Sequence, residues 1–312
     1  MLDRYVAGRA VGISPEASVP IVQVEKEWVS AGGAANVAAN LVALGARCDL
    51  VGCVGDDDAG RELQDLLEEL GVDTAGLVQS RGRRTTVKTR ILVGHQQIVR
   101  MDRERSEDVD SNIAQRLRDK THAGLLGCAA IVLEDYDKGV LVPVVIQEAL
   151  DGAKRQGIPV IVDPKRRRFF AYRSATVFKP NAKELEDALG EPVRPEDGAW
   201  MERVRSRLDC AHLLLTLGRD GMALCSARRG TTLFPTTDQA VFDVSGAGDT
   251  VTAVVSLAAA LGAPMSEAAA LANLAAALQV SKPGVATVTK VELQERASSF
   301  LASKAVGQNV IT

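Results

Sequence analysis

Apolar runs and amphipathic segments alternate along most of this chain. Five apolar runs have the length of buried strands, at residues 49–54, 129–133, 159–163, 176–178 and 212–217. Six longer segments have helical periodicity, at residues 33–44, 60–70, 142–156, 183–189, 250–261 and 266–280. This alternation predicts an α/β fold in which a mostly parallel sheet is covered by helices on both faces.

One region departs from this rhythm. Residues 85–93 alternate between apolar and polar positions, which places Lys88 and Arg90 on one face of a strand. A short turn around His95 leads to a second such segment at 97–102, so we expect an antiparallel hairpin. Residues 13–24 are also expected to be extended, because two prolines exclude a helix there. Together these segments predict a small second sheet outside the main one.

The amino-acid composition limits the classes of function that this chain can have. The 312 residues are 46% hydrophobic, enough for a substantial core, and the net charge of −3 offers no excess that would favour nucleic acid or a membrane surface. Five scattered cysteines form no Cys-x-x-Cys pair, which favours a reducing cytoplasm. The chain opens without an apolar leader, and its most apolar stretches fall short of the ~20 residues of a membrane span. We therefore expect a cytoplasmic protein.

The sharpest motif is Asp-Val-Ser-Gly-Ala-Gly-Asp at residues 243–249, directly before a long apolar helix. Gly246 and Gly248 allow a tight turn, and the N–H groups at the start of the helix then face an anion. Asp249 falls in the first helical turn, where its carboxylate can accept a proton from an attacking hydroxyl. The alternative is an ordinary helix start with a favourable acidic residue.

Three further motifs carry possible chemistry. Small residues around Gly32 and Gly33 lead into a helix with Asn36 on one face, which suits either a polyhydroxylated ligand or tight packing. Asn181 and Glu184 have capping-box spacing, and the same pair could organise the waters of Mg²⁺. Charged residues follow two predicted strands, at 134–139 and 163–165, which indicates one shared site at the carboxyl edge of the sheet.

Taken together and in this order, these motifs resemble those of the ribokinase-like (PfkB) carbohydrate kinases. Gly-Gly-Ala-Ala-Asn at 32–36 matches the N-terminal signature of that family, and Asp-x-x-Gly-Ala-Gly-Asp at 243–249 matches the C-terminal one. Within the family, the segments at 1–5, 13–20, 96–102, 135–139 and 163–165 are most similar to those of the heptose 7-phosphate kinases. The resemblance covers essentially the whole chain.

The resemblance implies a three-layer sandwich formed by one kinase domain over residues 1–312. Its small sheet, from about 4–30 and 84–104, would be a lid over the sugar and often a dimer interface. It implies ATP and Mg²⁺ as cofactors and a likeness in activity to kinases that phosphorylate the anomeric hydroxyl of D-glycero-β-D-manno-heptose 7-phosphate. The product is the 1,7-bisphosphate used for ADP-heptose and the lipopolysaccharide core.

The resemblance also implies a role for each matching residue. Asp249 would be the general base, and Gly246, Ala247 and Gly248 would form the anion hole. The sugar phosphate would contact Asp3, Gly32, Gly33, Asn36, Lys88, Arg90, Asp135 and Lys138. The nucleotide would lie against Asn181, Thr216, Gly218, Gly221 and Asn273, with Glu184 and Asp163 near the metal.

The chain departs from the heptose kinase pattern at three places. The family's first apolar strand, ahead of the residues matching Met1, is absent, so either Met1 is internal to a longer reading frame or one strand is missing. Glu134 replaces the usual Ser, and Ser245 the usual Thr. The chain stops at Thr312 without a nucleotidyltransferase motif, so we expect a separate protein to perform that step. Two alternatives therefore remain open: a kinase for another sugar or sugar phosphate, and a non-catalytic sugar or nucleotide sensor.

Overall fold

The computed structural model describes residues 1–94, 96–236 and 241–308; the predicted turn residue His95 lies outside them. The strands are β1 (Leu2–Ile13), β2 (Pro20–Ala31), β3 (Gly52–Gly55), β4 (Leu77–Ser80), β5 (Val87–Val93), β6 (Gln96–Arg103), β7 (Ile131–Glu134), β8 (Val160–Asp163), β9 (Val177–Phe178), β10 (His212–Thr216), β11 (Met222–Ser226) and β12 (Gly230–Phe234). The helices are α1 (Ala34–Ala43), α2 (Asp58–Glu69), α3 (Ser111–Gly124), α4 (Pro143–Gln156), α5 (Ala182–Leu189), α6 (Gly198–Leu208), α7 (Ala247–Ala260), α8 (Met265–Val280) and α9 (Lys290–Gln308).

The main sheet has six strands in the order β12-β11-β10-β9-β8-β7. The strands β7 to β10 run parallel, whereas β11 and β12 are antiparallel additions at one edge. All five predicted strands are present. The first of them, β3, is nevertheless not part of this sheet, because it pairs in parallel with β4 in a separate two-stranded sheet.

Helices cover both faces of the main sheet, as expected for an α/β sandwich. Ile161 of β8 points into a core formed with α1, α7, α8 and α9. Its neighbours Val160 and Val162 point the other way, into a core that includes the fully buried Trp200 of α6. Successive side chains of a strand alternate between faces, so a continuous apolar run such as β8 needs a layer on each side. The predicted fold class is confirmed.

The smaller sheet has four strands in the order β2-β1-β5-β6. The predicted hairpin is confirmed as the antiparallel pair β5 and β6. The prediction of a single extended segment over 13–24 was wrong, because β1 ends at Ile13, the chain turns through 14–19, and β2 returns antiparallel from Pro20. Tyr5 of β1 stacks on Trp28 of β2 with ring centroids 4.9 Å apart. The small sheet is therefore stabilised by contacts between β1 and β2 that the pattern of apolar and polar residues did not predict.

Several elements were not predicted, namely α3, α6, α9, β4, β11 and β12. Among the residues that the structure describes, no helix combines the length and the apolar character needed to cross a bilayer.

Candidate active site

Asp249 lies in the first turn of α7, as predicted. The helix begins after Gly246, whose φ of 86° is in the left-handed region that favours glycine. A Cβ added at Gly246 would stand 2.9 Å from Nδ2 of Asn36, so the turn also needs the space that glycine leaves. The N–H of Thr250 bonds back to the carbonyl of Gly246, and the N–H groups of Gly248 and Asp249 precede it at the helix start. This is the geometry of an anion site at a helix N-terminus.

The carboxylate of Asp249 is held by two hydrogen bonds. Asn36 Nδ2 donates to Oδ2 over 2.7 Å, and the Tyr136 hydroxyl donates to Oδ1 over 2.7 Å. Asn40 Nδ2 in turn donates to Asn36 Oδ1, which orients the amide. Burial raises the pKa of Asp249 to about 6, although both hydrogen bonds favour its charged form. A carboxylate with this pKa is ionised at neutral pH and can take a proton from a hydroxyl.

Two more carboxylates lie beside Asp249. Glu134 and Asp163 are paired residues at the carboxyl ends of the adjacent parallel strands β7 and β8. One oxygen of each of these three residues lies within 4.8 Å of the others. Burial raises the pKa of Glu134 well above its ordinary value, and Asp163 and Asp249 add to the effect by repulsion. The shared site predicted at this edge of the sheet is therefore present, and it is strongly acidic.

Lys179 is the buried cation of this cluster. Only 2% of it is exposed, and its Nζ donates to Asp163 Oδ2 over 2.7 Å. Burial lowers the pKa of Lys179, but attraction to Asp163 and Glu134 outweighs burial and raises the pKa overall. Lys179 therefore remains charged and neutralises one of the carboxylates.

Asn181 and Glu184 form a complete capping box at the start of α5. Asn181 Oδ1 accepts from the N–H of Glu184 over 2.8 Å, and Glu184 Oε2 accepts from the N–H of Asn181 over 2.9 Å. The other oxygen of Glu184 forms an ion pair with Lys165, whose Nζ also lies 5.3 Å from the centroid of the Tyr136 ring. The structural reading of this motif is confirmed, and both Glu184 oxygens already have a partner.

The structure pairs two of the candidate sugar contacts with each other. Arg90 Nη1 donates to Asp3 Oδ1 over 2.7 Å, and both residues are buried. Gly32 lies against this pair, since an added Cβ would stand 2.5 Å from Asp3 Oδ2. Gly33 caps α1, and a Cβ there would stand 3.1 Å from the Tyr136 ring. Gly33 thus brings the start of α1 against Tyr136, which donates to Asp249.

The other candidate sugar contacts separate into two groups. Lys88 lies 3.5 Å from Asp102 and 3.6 Å from Glu104, and Lys138 lies 2.8 Å from the same Glu104. Asp135 is turned inward instead, where its carboxylate accepts from the Tyr172 hydroxyl over 2.6 Å. That bond gives Asp135 a structural role.

The candidate nucleotide residues lie around the ends of β10 and β12. Thr216 forms a bridge with Asn181, which joins this region to the capping box. Gly218 begins a 3₁₀ turn, and the N–H of Gly221 closes it by donating to the carbonyl of Gly218 over 3.2 Å. Asn273 of α8 donates to the carbonyl of Pro235 over 2.7 Å. Thr216 is thus joined to Asn181, and Asn273 to the chain just after β12.

Comparison with known proteins decides the family. The model of the pfkB family carbohydrate kinases matches residues 4–291 of this chain. The chain belongs to the pfkB family. Members of this family transfer a phosphoryl group from ATP to a sugar and use a divalent metal ion, so this pfkB protein is an ATP-dependent carbohydrate kinase.

Two curated relatives of this pfkB kinase carry the name bifunctional protein HldE. The one from Trichlorobacter lovleyi is 42% identical over 297 residues, covering 94% of this chain and 60% of the relative. The one from Caulobacter vibrioides is 45% identical over 305 residues, covering 96% of this chain and 62% of the relative. The chain thus spans about three fifths of the length of these relatives.

Two solved structures share the fold of the pfkB kinase. Phosphofructokinase-2 from Escherichia coli superposes with a TM-score of 0.80 at 19% identity, covering 96% of this chain and 95% of that one. Ribokinase from Arabidopsis thaliana, complexed with ribose and ATP, superposes with a TM-score of 0.71 at 20% identity, covering 95% of each chain.

Tyr136 and Lys179 of this pfkB kinase were not among the predicted site residues. Tyr136 follows a predicted contact, Asp135, but no local pattern shows which of the two side chains faces Asp249. Lys179 follows a predicted strand directly, and this position at the carboxyl edge was the only available signal. Glu134 is a departure from the heptose kinase pattern that adds a charge near the predicted site and could alter the choice of substrate, and its carboxylate lies beside Asp249.

Proposed function

We propose that this kinase phosphorylates the anomeric hydroxyl of D-glycero-β-D-manno-heptose 7-phosphate to give the 1,7-bisphosphate. The observation that carries the proposal is the buried Asp249, held by Asn36 and Tyr136 beside the open start of α7. The choice of sugar rests on the resemblance to the heptose kinases and on the identity to the HldE proteins. The whole chain, 1–312, would act as one kinase domain in the cytoplasm, where ATP is supplied.

The residues around Asp249 suit in-line phosphoryl transfer. Asp249 would remove the proton of the acceptor hydroxyl, and the N–H groups of Gly246, Ala247 and Gly248 would hold the charge that develops on the phosphoryl oxygens. Asn36 and Tyr136 orient the base rather than the substrate. Mg²⁺ would supply charge neutralisation on the nucleotide phosphates, and the carboxylates of Glu184 and Asp163 suit its preference for oxygen ligands.

Lys88 and Lys138 are the best candidates for the phosphate already present on the sugar. Both lie within ion-pair distance of Glu104, so their charges converge on one place in the small sheet. Arg90 suits this role less well, because it is buried and paired with Asp3. A phosphate dianion would compete with Glu104 for the two lysines. On the other side of the acidic cluster, Asn181, Thr216, Gly218, Gly221 and Asn273 would receive the nucleotide.

Glu134 favours a second candidate function, the same transfer to a different sugar or sugar phosphate. Its carboxylate oxygens are buried beside Asp249 and have no hydrogen-bond partner among the described residues. An acceptor with a differently placed hydroxyl could provide that partner.

A coupled assay of ADP release over a panel of sugars and sugar phosphates tests both candidates. We expect the highest kcat/KM with D-glycero-β-D-manno-heptose 7-phosphate and a much lower one with the unphosphorylated heptose. A preference for another sugar would replace the first candidate by the second. Binding of ATP and sugar without any ADP release would instead support a sensor.

The rate of the reaction is expected to fall in acid. Asp249 must be ionised to accept a proton, and its pKa is about 6, so kcat/KM should decrease as the pH falls through this value. Above it the carboxylate is charged and kcat/KM should level off. Initial rates between about pH 5 and 8 would show the transition. A profile that is flat across this interval would contradict the assignment of Asp249 as the base.

We further propose that the small sheet is a lid that also forms a homodimer. Its strands expose several large apolar side chains, including Ile13, Val24, Val99 and Met101. Large exposed apolar side chains grouped on one element are typical of an interaction site. Light scattering after size exclusion should give the mass of two chains, and Met101→Lys should shift it towards one. Leu126→Lys, at an exposed apolar residue outside the sheet, should leave the dimer intact; a monomeric wild type would refute the proposal.

A further inference from the structure

We infer that Asn40 is a positioning residue, which transmits the fixed direction of the Val288 N–H through Asn36 to the carboxylate of Asp249. Val288 lies in the segment between α8 and α9, and neither it nor Asn40 was among the predicted site residues. The effect of Asn40 on the reaction rests on the proposed function of Asp249, whereas the orientation of the two amides does not.

The side-chain amides of Asn36 and Asn40 need an external reference for their orientation. The oxygen and the nitrogen of an asparagine amide have nearly the same shape, so hydrogen bonds decide which end lies where. Asn36 is 1% exposed and Asn40 is 0% exposed, so bulk water offers neither amide a partner. Each end must therefore face a protein group of the right kind, because a buried polar atom without a partner is costly.

Two backbone groups decide the orientation of Asn40. The Val288 N–H can only donate, and its nitrogen lies 3.2 Å from Asn40 Oδ1. The main-chain carbonyl of Asn36 can only accept, and its oxygen lies 2.9 Å from Asn40 Nδ2. Exchanging the two ends of the Asn40 amide would place a donor against the Val288 N–H and an acceptor against the Asn36 carbonyl. The backbone thus permits one orientation.

Asn40 passes this orientation to Asn36, which lies one turn earlier on the same face of α1. Asn40 Nδ2 also donates to the Asn36 side chain over 3.1 Å, so the end of Asn36 that faces it must be the oxygen. The opposite end, Nδ2, then faces Asp249 Oδ2 over 2.7 Å. If the Asn36 amide were flipped, two oxygens would meet at that distance, and the carboxylate would be repelled instead of held.

The Val288 N–H is itself held from the other side of its peptide. Lys282 Nζ donates to the carbonyl of Thr287 over 2.8 Å, and this carbonyl belongs to the same planar peptide unit as the Val288 N–H. Lys282 also forms an ion pair with Glu292 of α9 over 2.6 Å. The orientation of Asp249 is therefore set from a segment that contains none of the residues proposed to bind the sugar or the nucleotide.

The contribution of Asn40 is greatest while the proton is being transferred. The charge of Asp249 itself attracts Nδ2 of Asn36, because a hydrogen bond to an ionised group is stronger than a neutral one. As Asp249 accepts the proton of the sugar hydroxyl, it loses that charge and the attraction weakens. The bonds that Asn40 makes do not depend on this charge, so they keep Asn36 in place throughout the transfer.

A double-mutant cycle on kcat tests whether Asn40 acts through Asn36. We expect Asn40→Leu to lower kcat about tenfold, the factor expected when a hydrogen bond to a charged group is weakened. The KM for ATP should change much less. In the Asn36→Leu background the same substitution should lower kcat less than about twofold, because the residue through which it acts is gone.

Equal factors in the two backgrounds would mean that Asn40 only supports the fold, and this result would overturn the inference. Asn112→Leu makes the same chemical change at an exposed position of α3 and should leave kcat as in the wild type. If Asn40→Leu does not fold, Asn40→Ser takes its place, since a serine side chain is too short to reach Asn36.

Nuclear magnetic resonance of the Asn36 side-chain amide tests the orientation without sugar or nucleotide. Its signal in isotope-labelled, full-length protein is identified by its absence in Asn36→Leu. We expect Asn40→Leu to move the proton resonance of this amide upfield, because its bond to the Asp249 carboxylate is loosened. An unchanged signal would overturn the inference. If the signal moves as expected but no sugar supports ADP release, the proposed function fails and the orienting role of Asn40 stands.

Discussion

Asp249→Asn is expected to lower kcat by at least the ~10²-fold that general acid–base catalysis typically contributes. The amide keeps nearly the same shape but cannot accept the proton of the acceptor hydroxyl. In the wild type Asn36 Nδ2 donates to a carboxylate oxygen of Asp249. In the variant the same donor faces an amide, so the local hydrogen bonds must rearrange. Because the start of α7 is unchanged, the KM for ATP should change much less than kcat. Steady-state kinetics with the preferred sugar would measure both quantities.

Asp119→Asn is the matched control for this variant. It makes the same chemical change on the exposed surface of α3, where Asp119 accepts a hydrogen bond from Gln115. We expect its kcat and KM to equal those of the wild type. If Asp249→Asn retained near-normal kcat, Asp249 would not be the base, and the kinase mechanism proposed for this site would have to be abandoned.

Burial on both faces made some strands of the main sheet easy to predict. β8 has four consecutive buried residues, and such a run has few alternatives to a central strand. β12 has mostly exposed residues, and β11 was missed because its five buried residues follow β10 after only a short turn. The helix α3 was missed because its apolar stripe is narrow, with only three buried residues over fourteen positions. Weak periodicity leaves such elements undefined until tertiary contacts select them.

The same distinction separates the predicted and unpredicted parts of the active site. The placement of Asp249 in a first helical turn follows from the glycines just before it, which is local information. Its partner Asn36 is 213 residues away, and no local pattern shows that the two side chains meet. The positions of Tyr136 and Lys179 likewise depend on how the parallel strands align at their carboxyl ends. Motifs thus identified the chemistry, whereas the orientation of the base required the fold.

The pair of Asp3 and Arg90 shows how a sequence pattern can be read correctly and still mislead about a role. Alternation placed Arg90 on the polar face of β5, and it does lie on that face, but it is 9% exposed and bound to Asp3, which is 4% exposed. The Tyr5 ring also lies against its guanidinium, 5.3 Å away. Asp3→Asn is therefore expected to destabilise the protein by about 3–5 kcal/mol, because it leaves a buried guanidinium without its counter-charge.

Urea unfolding followed by fluorescence would measure this loss, with Asp102→Asn as the control. Asp102 is the partner of Lys88 on the same small sheet, but that pair is more exposed and 3.5 Å apart, so its removal should cost about 1 kcal/mol or less. Equal losses in the two variants would contradict the view that burial makes the Asp3 pair critical.

Removing both charges gives the more discriminating test. Replacing a whole buried ion pair by groups of similar shape is often nearly neutral, whereas removing one partner is costly. In the double variant Asp3→Asn, Arg90→Met, no buried guanidinium remains, so we expect its free energy of unfolding to exceed that of Asp3→Asn alone. If the double variant were instead less stable than Asp3→Asn, Arg90 would stabilise the small sheet mainly through its packing on Tyr5. In that event the contact between Arg90 and Tyr5 would contribute more to the stability of the fold than the charge of Asp3.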